Sequence, residues 1–250
     1  MRNLVSFCIF IFVAPAIFGQ FSTDKLQVSL GYNVHNAYAK RFNHLVDDFN
    51  NSRYPLEISE NMNNINWMHG MEGAVHYRFT DDIRFHGILK SHRQFLEAPY
   101  SQRPEFRQFL FRVHTVALGA DMRLSEEGRF SHWVGGDLLV GVMGVFTNWT
   151  SKQGYHGSRD MVNIDHTAVL GLGVAYEAQF KLHDLVSLYI RPVVQFALNS
   201  QVRKLTDFFA PAFDAEGLPY FEEGLDAKYD SGNLNGIGIS GGVVVRLPEL

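Results

Sequence analysis

The sequence predicts an all-β fold, an eight-stranded antiparallel transmembrane β-barrel that follows a cleaved N-terminal signal peptide. Two observations lead to this prediction. Apolar and polar residues alternate with a period of two in eight separate segments, which is the repeat of a β-strand. In each segment an aliphatic face lies opposite a face of charged residues and glycine, as expected where lipid surrounds a barrel with a polar lumen.

The start of the chain has the composition of a secretory signal. Arg2 is followed by an apolar run over residues 4–18, and Gly19 offers a small residue for cleavage. We therefore expect a signal peptide at residues 1–19 and a barrel domain at residues 20–250. Cys8 is the only cysteine of the sequence, so the mature chain would contain neither a disulfide nor a cysteine zinc site.

Composition narrows the class further. The formal net charge of −4 gives no broad basic surface, so we expect no nucleic-acid partner. The mean hydropathy of −0.09 excludes a bundle of membrane helices, but it is compatible with strands that turn only half of their residues to lipid. The 21 Phe and 10 Tyr residues suit the aromatic girdles of a membrane barrel.

The first strand is predicted at residues 26–34, where Leu26, Leu30 and Val34 share the apolar face. The pattern then breaks over residues 35–66. Apolar residues at helical spacing within residues 37–51 predict a short amphipathic helix in this loop. Such a helix would either pack on the barrel rim or present a surface to a partner.

The second and third strands are predicted at residues 67–79 and 83–93, joined by a tight turn at residues 80–82. Their polar faces carry Glu72, His76, Arg78, Arg84, His86, Lys90 and His92. A connection with Pro99 and Pro104 follows. The fourth strand, residues 109–122, is predicted to turn its aromatic and aliphatic residues outward and two basic residues inward: Phe109, Phe111, Val113 and Ala117 out, Arg112 and His114 in.

Four strands complete the predicted barrel. Residues 130–146 place Asp137 inward, and a polar loop is expected at residues 147–161. The sixth and seventh strands cover residues 162–182 and 186–198. Their inward residues include Glu177, Lys181 and Arg191, and Pro192 predicts a bulge because proline lacks the N–H that a ladder needs. After a loop at residues 199–233, residues 234–247 close the barrel, with Arg246 on the polar face.

The connections are alternately long and short. Short turns at residues 80–82, 125–128 and 183–184 would lie at one end of the barrel together with both termini, and the longer loops at the other. Bacterial outer-membrane barrels share this asymmetry. A soluble lipocalin-like barrel also has eight strands, but its apolar face points inward, whereas here the charges oppose the aliphatic side.

Taken with the two turn segments YRFTDDIRF (residues 77–85) and YEAQFKLHDLVSLYIRP (residues 176–192), these strands resemble the small outer-membrane β-barrel proteins of Gram-negative bacteria. These are the OmpX-like proteins and the membrane domain of OmpA. The resemblance covers nearly the whole mature chain. It implies location in the cell outer membrane, with outer-membrane lipid and lipopolysaccharide as surroundings.

The predicted lumen holds more bases than acids. We expect a salt-bridge network of Glu72, Arg78, Arg84, Lys90, Arg112, Asp137, Glu177, Arg191 and Arg246. An eight-stranded barrel is just wide enough for its own side chains, so these charges would pair as a plug and would not line a wide pore. A narrow conduit is the alternative.

Catalytic, cofactor and metal sites are not expected, although two alternatives remain. A lipid-modifying enzyme would need a serine beside a histidine near the lipid face, and Ser91 with His92 or Ser131 with His132 are the candidates. Four inward histidines (His76, His86, His92 and His114) would suit a metal. The GxGxxG and GxSxG patterns in residues 236–242 lack the helix that both motifs need.

The sequence therefore predicts a non-enzymatic outer-membrane protein with a structural or surface-binding role. Its extracellular loops at residues 35–66 and 199–233 would contact a protein partner, and the barrel could be a subunit of a larger envelope complex. The second loop interleaves acidic and aromatic residues.

Overall fold

The computed structural model describes residues 22–37, 40–53, 55–102, 105–152, 162–199 and 235–248. Within these residues eight antiparallel strands close into a barrel in sequence order. The strands are β1 (Leu26–Ala37), β2 (Trp67–Arg78), β3 (Ile83–Pro99), β4 (Glu105–Glu127), β5 (Phe130–Lys152), β6 (Val162–His183), β7 (Val186–Asn199) and β8 (Gly236–Arg246). The predicted fold class is confirmed. The expected signal peptide and most of the last loop lie outside the described residues.

The barrel is closed by the first and last strands. Their ladder runs without interruption from Gln27 opposite Arg246 to Ala37 opposite Gly236. Closure pairs the backbone groups of both edge strands, which is the condition for a sheet to cross hydrocarbon. The start of β1 and the end of β8 therefore lie at the same end of the barrel as the short turns.

The outer wall has the predicted aliphatic character. Outward residues of β1, β3, β6 and β8 such as Leu30, Leu89, Leu172 and Ile237 are exposed, while their neighbours in sequence are mostly buried. Near the short turns, aromatic rings meet in pairs on this wall, Phe79 with Phe85 and Phe130 with Phe180. This arrangement matches an apolar belt bordered by an aromatic girdle.

β4 has the opposite register to the prediction. Phe109, Phe111, Val113 and Ala117 are buried inside the barrel, whereas His114 is exposed on the outer wall. The pairing with β3 shows the same, because the inward Arg84 lies directly opposite Asp121. The prediction failed because this part of β4 carries large apolar residues on its lumen face and the basic Arg112 and His114 on its outer face, the reverse of the alternation in the other strands.

Four strands extend at least three residues beyond the prediction at the long-loop end, and β1 is one of them, since it continues to Ala37. β3 continues to Pro99 and β4 begins at Glu105, so their connection is short. β5 continues to Lys152, and the first residues of the predicted polar loop 147–161 belong to this strand. Beyond the lipid, an outward face need not be aliphatic, and the pattern therefore fades before the strand ends.

The short turns at the other end have local explanations. The Thr80 hydroxyl accepts hydrogen bonds from the backbone N–H groups of Asp82, at 3.3 Å, and Ile83, at 3.0 Å. Gly128 has a φ of 61°, a conformation that side chains with a Cβ rarely adopt, and it begins the β4–β5 turn. The third turn is formed by Asp184 and Leu185.

The predicted bulge at Pro192 is absent from the described β6–β7 ladder. The register is the same on both sides, with Ala175 opposite Val193 and Ala178 opposite Ile190. The ladder to β8 continues through Pro192. β7 therefore accommodates proline by a local gap in its ladder with β6, because a strand N–H bonds to only one of the two neighbouring strands.

A helix, α1 (Lys40–Arg53), covers the long-loop end, as the helical spacing predicted. Its Val46 and Phe49 join a buried apolar cluster, the loop-end cluster, which also contains Ala37, Ile58, Met62, Ile65, Met68, Leu96, Ala98, Phe109, Phe111, Val113, Met143, Val145 and Val169. The helix thus packs on the barrel rim. No helix in the described residues is both long enough and apolar enough to cross a bilayer.

Two asparagines of α1 fasten the segment that follows the helix. Asn43 donates to the Ile65 carbonyl at 2.8 Å and accepts from the Ile65 N–H at 2.7 Å. Asn50 makes the same pair of bonds with Met62, at 2.9 and 2.7 Å. Each side-chain amide therefore satisfies a backbone donor and acceptor that the short segment leaves unpaired.

Candidate functional site

An ion cluster occupies the middle of the lumen. Arg84 donates from Nε to Asp121 Oδ2 at 2.8 Å and from Nη2 to Glu177 Oε1 at 2.7 Å. Arg191 donates from Nη1 to Glu177 Oε2 at 3.1 Å and from Nη2 to Asp137 Oδ1 at 3.2 Å. These side chains are almost completely buried, so the mutual pairing is what makes their charges tolerable inside the barrel.

His86 completes this cluster. Its Nδ1 lies 3.0 Å from Asp121 Oδ2, and its Nε2 lies 2.6 Å from Asp137 Oδ1. A carboxylate on each side is satisfied best when both ring nitrogens carry hydrogen, which is the imidazolium form. The cluster then balances three carboxylates with two guanidiniums and one imidazolium.

Glu72 forms a second polar group on the opposite wall. It accepts hydrogen bonds from the Tyr189 hydroxyl at 2.7 Å and from the Ser240 hydroxyl at 2.7 Å. Lys90 is buried and lies directly opposite Glu72 in the β2–β3 ladder. The Tyr189 ring reaches Glu72 over Gly31, where a Cβ would overlap the Tyr189 hydroxyl.

Arg78 and Arg246 lie at the short-turn mouth, away from the central cluster. Arg78 also faces Trp133, a fully buried indole that was not anticipated from the sequence. The Arg84 guanidinium lies 4.4 Å from the Trp133 ring centroid, and those of Arg78 and Arg123 each lie 5.9 Å away. The indole thus separates the ion cluster from the mouth and stabilises the arginines around it by cation–π contacts.

Of the predicted network, Arg84, Asp137, Glu177 and Arg191 form the ion cluster, joined by Asp121 and His86. Glu72 and Lys90 lie on the lumen face apart from this cluster, and Arg78 and Arg246 form no ion pair within the described residues. Arg112 does not enter the lumen, because the register of β4 turns it to the outer wall, where it lies over the Phe146 ring. Asp121, on the inward face of the same strand, contributes a carboxylate to the ion cluster and pairs with Arg84. Asp121 was missed because of that register, and His86 was considered only as a metal ligand.

A metal site fits this arrangement poorly. His76, His86 and Asp121 offer ligand atoms that lie within 4.8 Å of one another. However, Asp121 Oδ2 already accepts from Arg84 and His86, and a guanidinium of Arg191 faces its other oxygen. A cation here would have to displace positive groups from the carboxylate. His114, another predicted inward histidine, lies on the outer wall.

The two candidate serine–histidine pairs do not meet. His92 is buried and its neighbour Ser91 lies on the opposite face, where it stands across the ladder from His114. His132 instead contacts Tyr176, with 2.6 Å between its Nδ1 and the Tyr176 hydroxyl oxygen. Ser131 accepts a hydrogen bond from the Trp133 indole N–H at 3.3 Å.

The lumen is filled above the ion cluster as well. Between this cluster and the loop-end cluster lies a cavity of about 20 Å³, lined in part by His35, Met68, His92 and Thr115. That volume is sufficient for about one water molecule. The described part of the lumen is therefore closed first by ion pairs and then by apolar side chains.

The short-turn mouth is open in contrast. A cavity of about 350 Å³ lies there, bordered by charged side chains of the turns. Arg123 pairs with Asp82 at 3.0 Å and also with Glu126, and Lys181 pairs with Asp184 at 2.7 Å. The hydrogen bond from Lys181 lowers the pKa of the exposed Asp184 carboxyl in its turn.

No family model matches the chain. No curated protein matches it in sequence. Among solved structures, Neisserial surface protein A has a TM-score of 0.46 and 11% identity over 91% of this chain and 100% of that chain. Ail of Yersinia pestis, in complex with the heparin analogue sucrose octasulfate, has a TM-score of 0.41 and 12% identity over 88% and 95%. The outer membrane protein OprG of Pseudomonas aeruginosa has a TM-score of 0.42 and 7% identity over 88% of this chain and 94% of that chain.

At such identities these similarities concern the barrel fold alone. The location follows from the surfaces of the molecule: a wall without open edges, an aliphatic belt around it and a polar interior. The chain is an integral β-barrel of the Gram-negative outer membrane, with its short turns at one end and its longer loops at the other.

Proposed function

We propose that this barrel is a closed, non-enzymatic element of the outer membrane that acts through its extracellular loop face. The observation that carries the proposal is the buried ion cluster of Arg84, His86, Asp121, Asp137, Glu177 and Arg191 in the middle of the lumen. A path for solutes would have to break these ion pairs, at a cost of several kcal/mol for each uncompensated buried charge.

The loop face supports a role in binding. α1 and the segment after it form an ordered cover, held by the loop-end cluster and by the paired bonds of Asn43 and Asn50. On this cover Leu56 is 82% exposed, beside the exposed Glu57. Leu56 is therefore an accessible position on this face at which a bound partner can be probed. The loop at residues 199–233, with its interleaved acidic and aromatic residues, is proposed to take part in the same binding.

The surroundings of the barrel are proposed to be outer-membrane lipid and lipopolysaccharide. The aliphatic belt would contact acyl chains, and the exposed loop end would stand among the lipopolysaccharide sugars. A role as a subunit of a larger envelope complex would use the same loop face.

Conductance measurement separates the closed barrel from a channel. Purified mature protein in planar bilayers should produce no discrete openings, because the lumen contains ion pairs and an apolar cover. A heat-denatured sample of this chain in the same detergent controls for leaks that the detergent causes. Reproducible unitary openings of the folded protein would contradict the proposal.

Binding and catalysis need separate experiments. A photo-crosslinker at Leu56 should capture a discrete envelope protein, and the same probe at Asn51 on the exposed side of α1 is the control. Deleting residues 54–66 should remove the captured protein. Incubation with labelled lipid A or phospholipid should leave both substrates unchanged, and a converted lipid would favour an enzyme.

A further inference from the structure

The short-turn mouth has a surplus of positive charge. Its cavity of about 350 Å³ is bordered by five basic and three acidic side chains: Arg78, Arg123, Arg129, Lys181 and Arg246 against Asp81, Glu126 and Asp184. Because a concave surface of low-dielectric walls focuses the field of its charges, this surplus acts on any anion that approaches the mouth.

Three of these arginines, Arg78, Arg129 and Arg246, form no ion pair within the described residues; Arg129 is exposed in the β4–β5 turn, whereas Arg78 and Arg246 lie on the lumen face. Arg123 and Lys181 are paired with carboxylates of the turns. The charges that act on Arg78 are the positive ones of Arg246, Arg84 and Arg123 and the negative one of Glu126. Like charges at one mouth raise each other's free energy, which an anion between them would lower.

Neighbouring strands bring these groups together. Gln27 of β1 lies directly opposite Arg246 of β8 in one ladder and opposite His76 of β2, two residues before Arg78, in the other. Arg78 and Arg246 therefore flank Gln27, on strands about 10 Å apart. Arg78 Nε, a donor, is buried and makes no hydrogen bond within the described structure; Gln27 Oε1, also without a partner there, is an acceptor and would need a donor, not an anion. A buried donor without an acceptor is the condition that a bound oxyanion would relieve.

We propose that the mouth is a binding site for a phosphate group, with Arg78 and Arg246 as its principal ligands. Guanidinium groups present paired N–H donors that match the oxygens of phosphate. The cavity admits a phosphate with a small substituent. Outer-membrane barrels have their short turns on the periplasmic side. There such a group belongs either to a soluble phosphate compound or to the headgroup of an inner-leaflet phospholipid, and both are recognised by the same chemistry.

The direct test uses nuclear magnetic resonance of the folded mature protein with ¹⁵N-labelled arginine. In micelles of a sulfobetaine detergent, whose headgroup carries no phosphate, inorganic phosphate should shift the Nε–Hε signals of Arg78 and Arg246 in a saturable manner. The Nε signal of Arg93, which is exposed on the outer wall of β3, should stay in place. Equal shifts with chloride at the same ionic strength would overturn the proposal.

A second arm distinguishes the two sources of phosphate. Micelles of the same phosphate-free detergent are titrated with a short-chain phosphatidylglycerol in phosphate-free buffer. Shifts of Arg78 and Arg246 with free phosphate in micelles assign a soluble ligand, and shifts only with phosphatidylglycerol assign a lipid headgroup. Absence of shifts in both arms overturns the site.

Paired variants then test the ligands. The double variant Arg78→Gln, Arg246→Gln should weaken binding of the phosphate source at least about tenfold, because each charged hydrogen bond contributes more than a neutral one. Arg93→Gln removes one positive charge from the outer wall, away from the mouth, and should leave the affinity unchanged. Heat-modifiable gel migration verifies that the variants fold. Unchanged affinity of the folded double variant overturns the assignment, and if that variant does not fold, the titration of the unmodified protein decides.

Discussion

Arg191 contacts all three carboxylates of the ion cluster. Its Nη1 lies 3.1 Å from Glu177 and 3.3 Å from Asp121, and its Nη2 lies 3.2 Å from Asp137. At the residue scale this guanidinium joins β7 to β4, β5 and β6 through the interior of the barrel. Its planar array of N–H donors is what permits three partners at once.

We predict that Arg191→Gln lowers the free energy of unfolding by about 3–5 kcal/mol, because it leaves buried carboxylates uncompensated. The measurement is urea unfolding of the barrel in lipid vesicles. Lys181→Gln is the control, since it breaks the half-exposed pair with Asp184. An exposed ion pair is worth about 0–1 kcal/mol. Similar losses in the two variants would argue against a stabilising role for the ion cluster.

At the scale of elements, β4 and α1 depend on each other. The inward Phe109 and Phe111 of β4 are buried in the loop-end cluster with Val46 and Phe49 of α1. The helix therefore supplies the apolar surroundings that allow the upper half of β4 to carry large apolar residues on its lumen side. Without such a cover these rings would face water inside the barrel.

We predict that Phe49→Ala releases the loop cover while the barrel stays folded. Truncating a buried phenylalanine costs about 3–5 kcal/mol, so local opening of α1 should become at least about a hundredfold more frequent. Hydrogen exchange of the Met62 and Ile65 amides, which are bonded to Asn50 and Asn43, reports this opening.

The matched control for the loop cover is Asn51→Ala, at an exposed position of the same helix. It should leave the exchange of both amides within about threefold of the unmodified protein. Faster exchange throughout β1–β8 in Phe49→Ala would instead mean that the cover and the barrel unfold as one unit.

For the whole molecule, the decisive surface is the aliphatic belt. Residues such as Leu172, Val174 and Ile190 are exposed on the outer wall, which is stable only in contact with hydrocarbon. The polar groups that a soluble protein would place outside are paired in the lumen. The molecule thus reverses the usual distribution of polar and apolar surface.

We predict that Leu172→Arg destabilises the barrel in vesicles by about 2–4 kcal/mol, because β6 carries this side chain near the middle of the belt. Leu182→Arg, on the same strand beside the short turn, should cost at most about 1 kcal/mol, since its guanidinium reaches the lipid headgroups. Urea unfolding of both variants in the same vesicles provides the comparison. Equal losses at the two positions would contradict the placement of the belt.

Much of this architecture is visible in the sequence because it is local. Alternation along each strand predicted the eight strands, the outward face of seven of them and the helix α1. Arg84, Asp137, Glu177 and Arg191 were recognised as lumen residues from the same alternation. Lipid imposes one rule on every strand, and a period of two is enough to express that rule.

The tertiary structure alone decided which groups meet. Arg84 pairs with Glu177, 93 residues away, because closure and register bring β3 and β6 to face each other across the lumen. Apolar side chains of α1 cover the barrel end and allow β4 to turn its apolar residues into the lumen. This orientation places Asp121 inside the barrel and Arg112 on the outer wall. Such contacts join distant segments, and their partners are set by strand pairing and not by the pattern within any one strand.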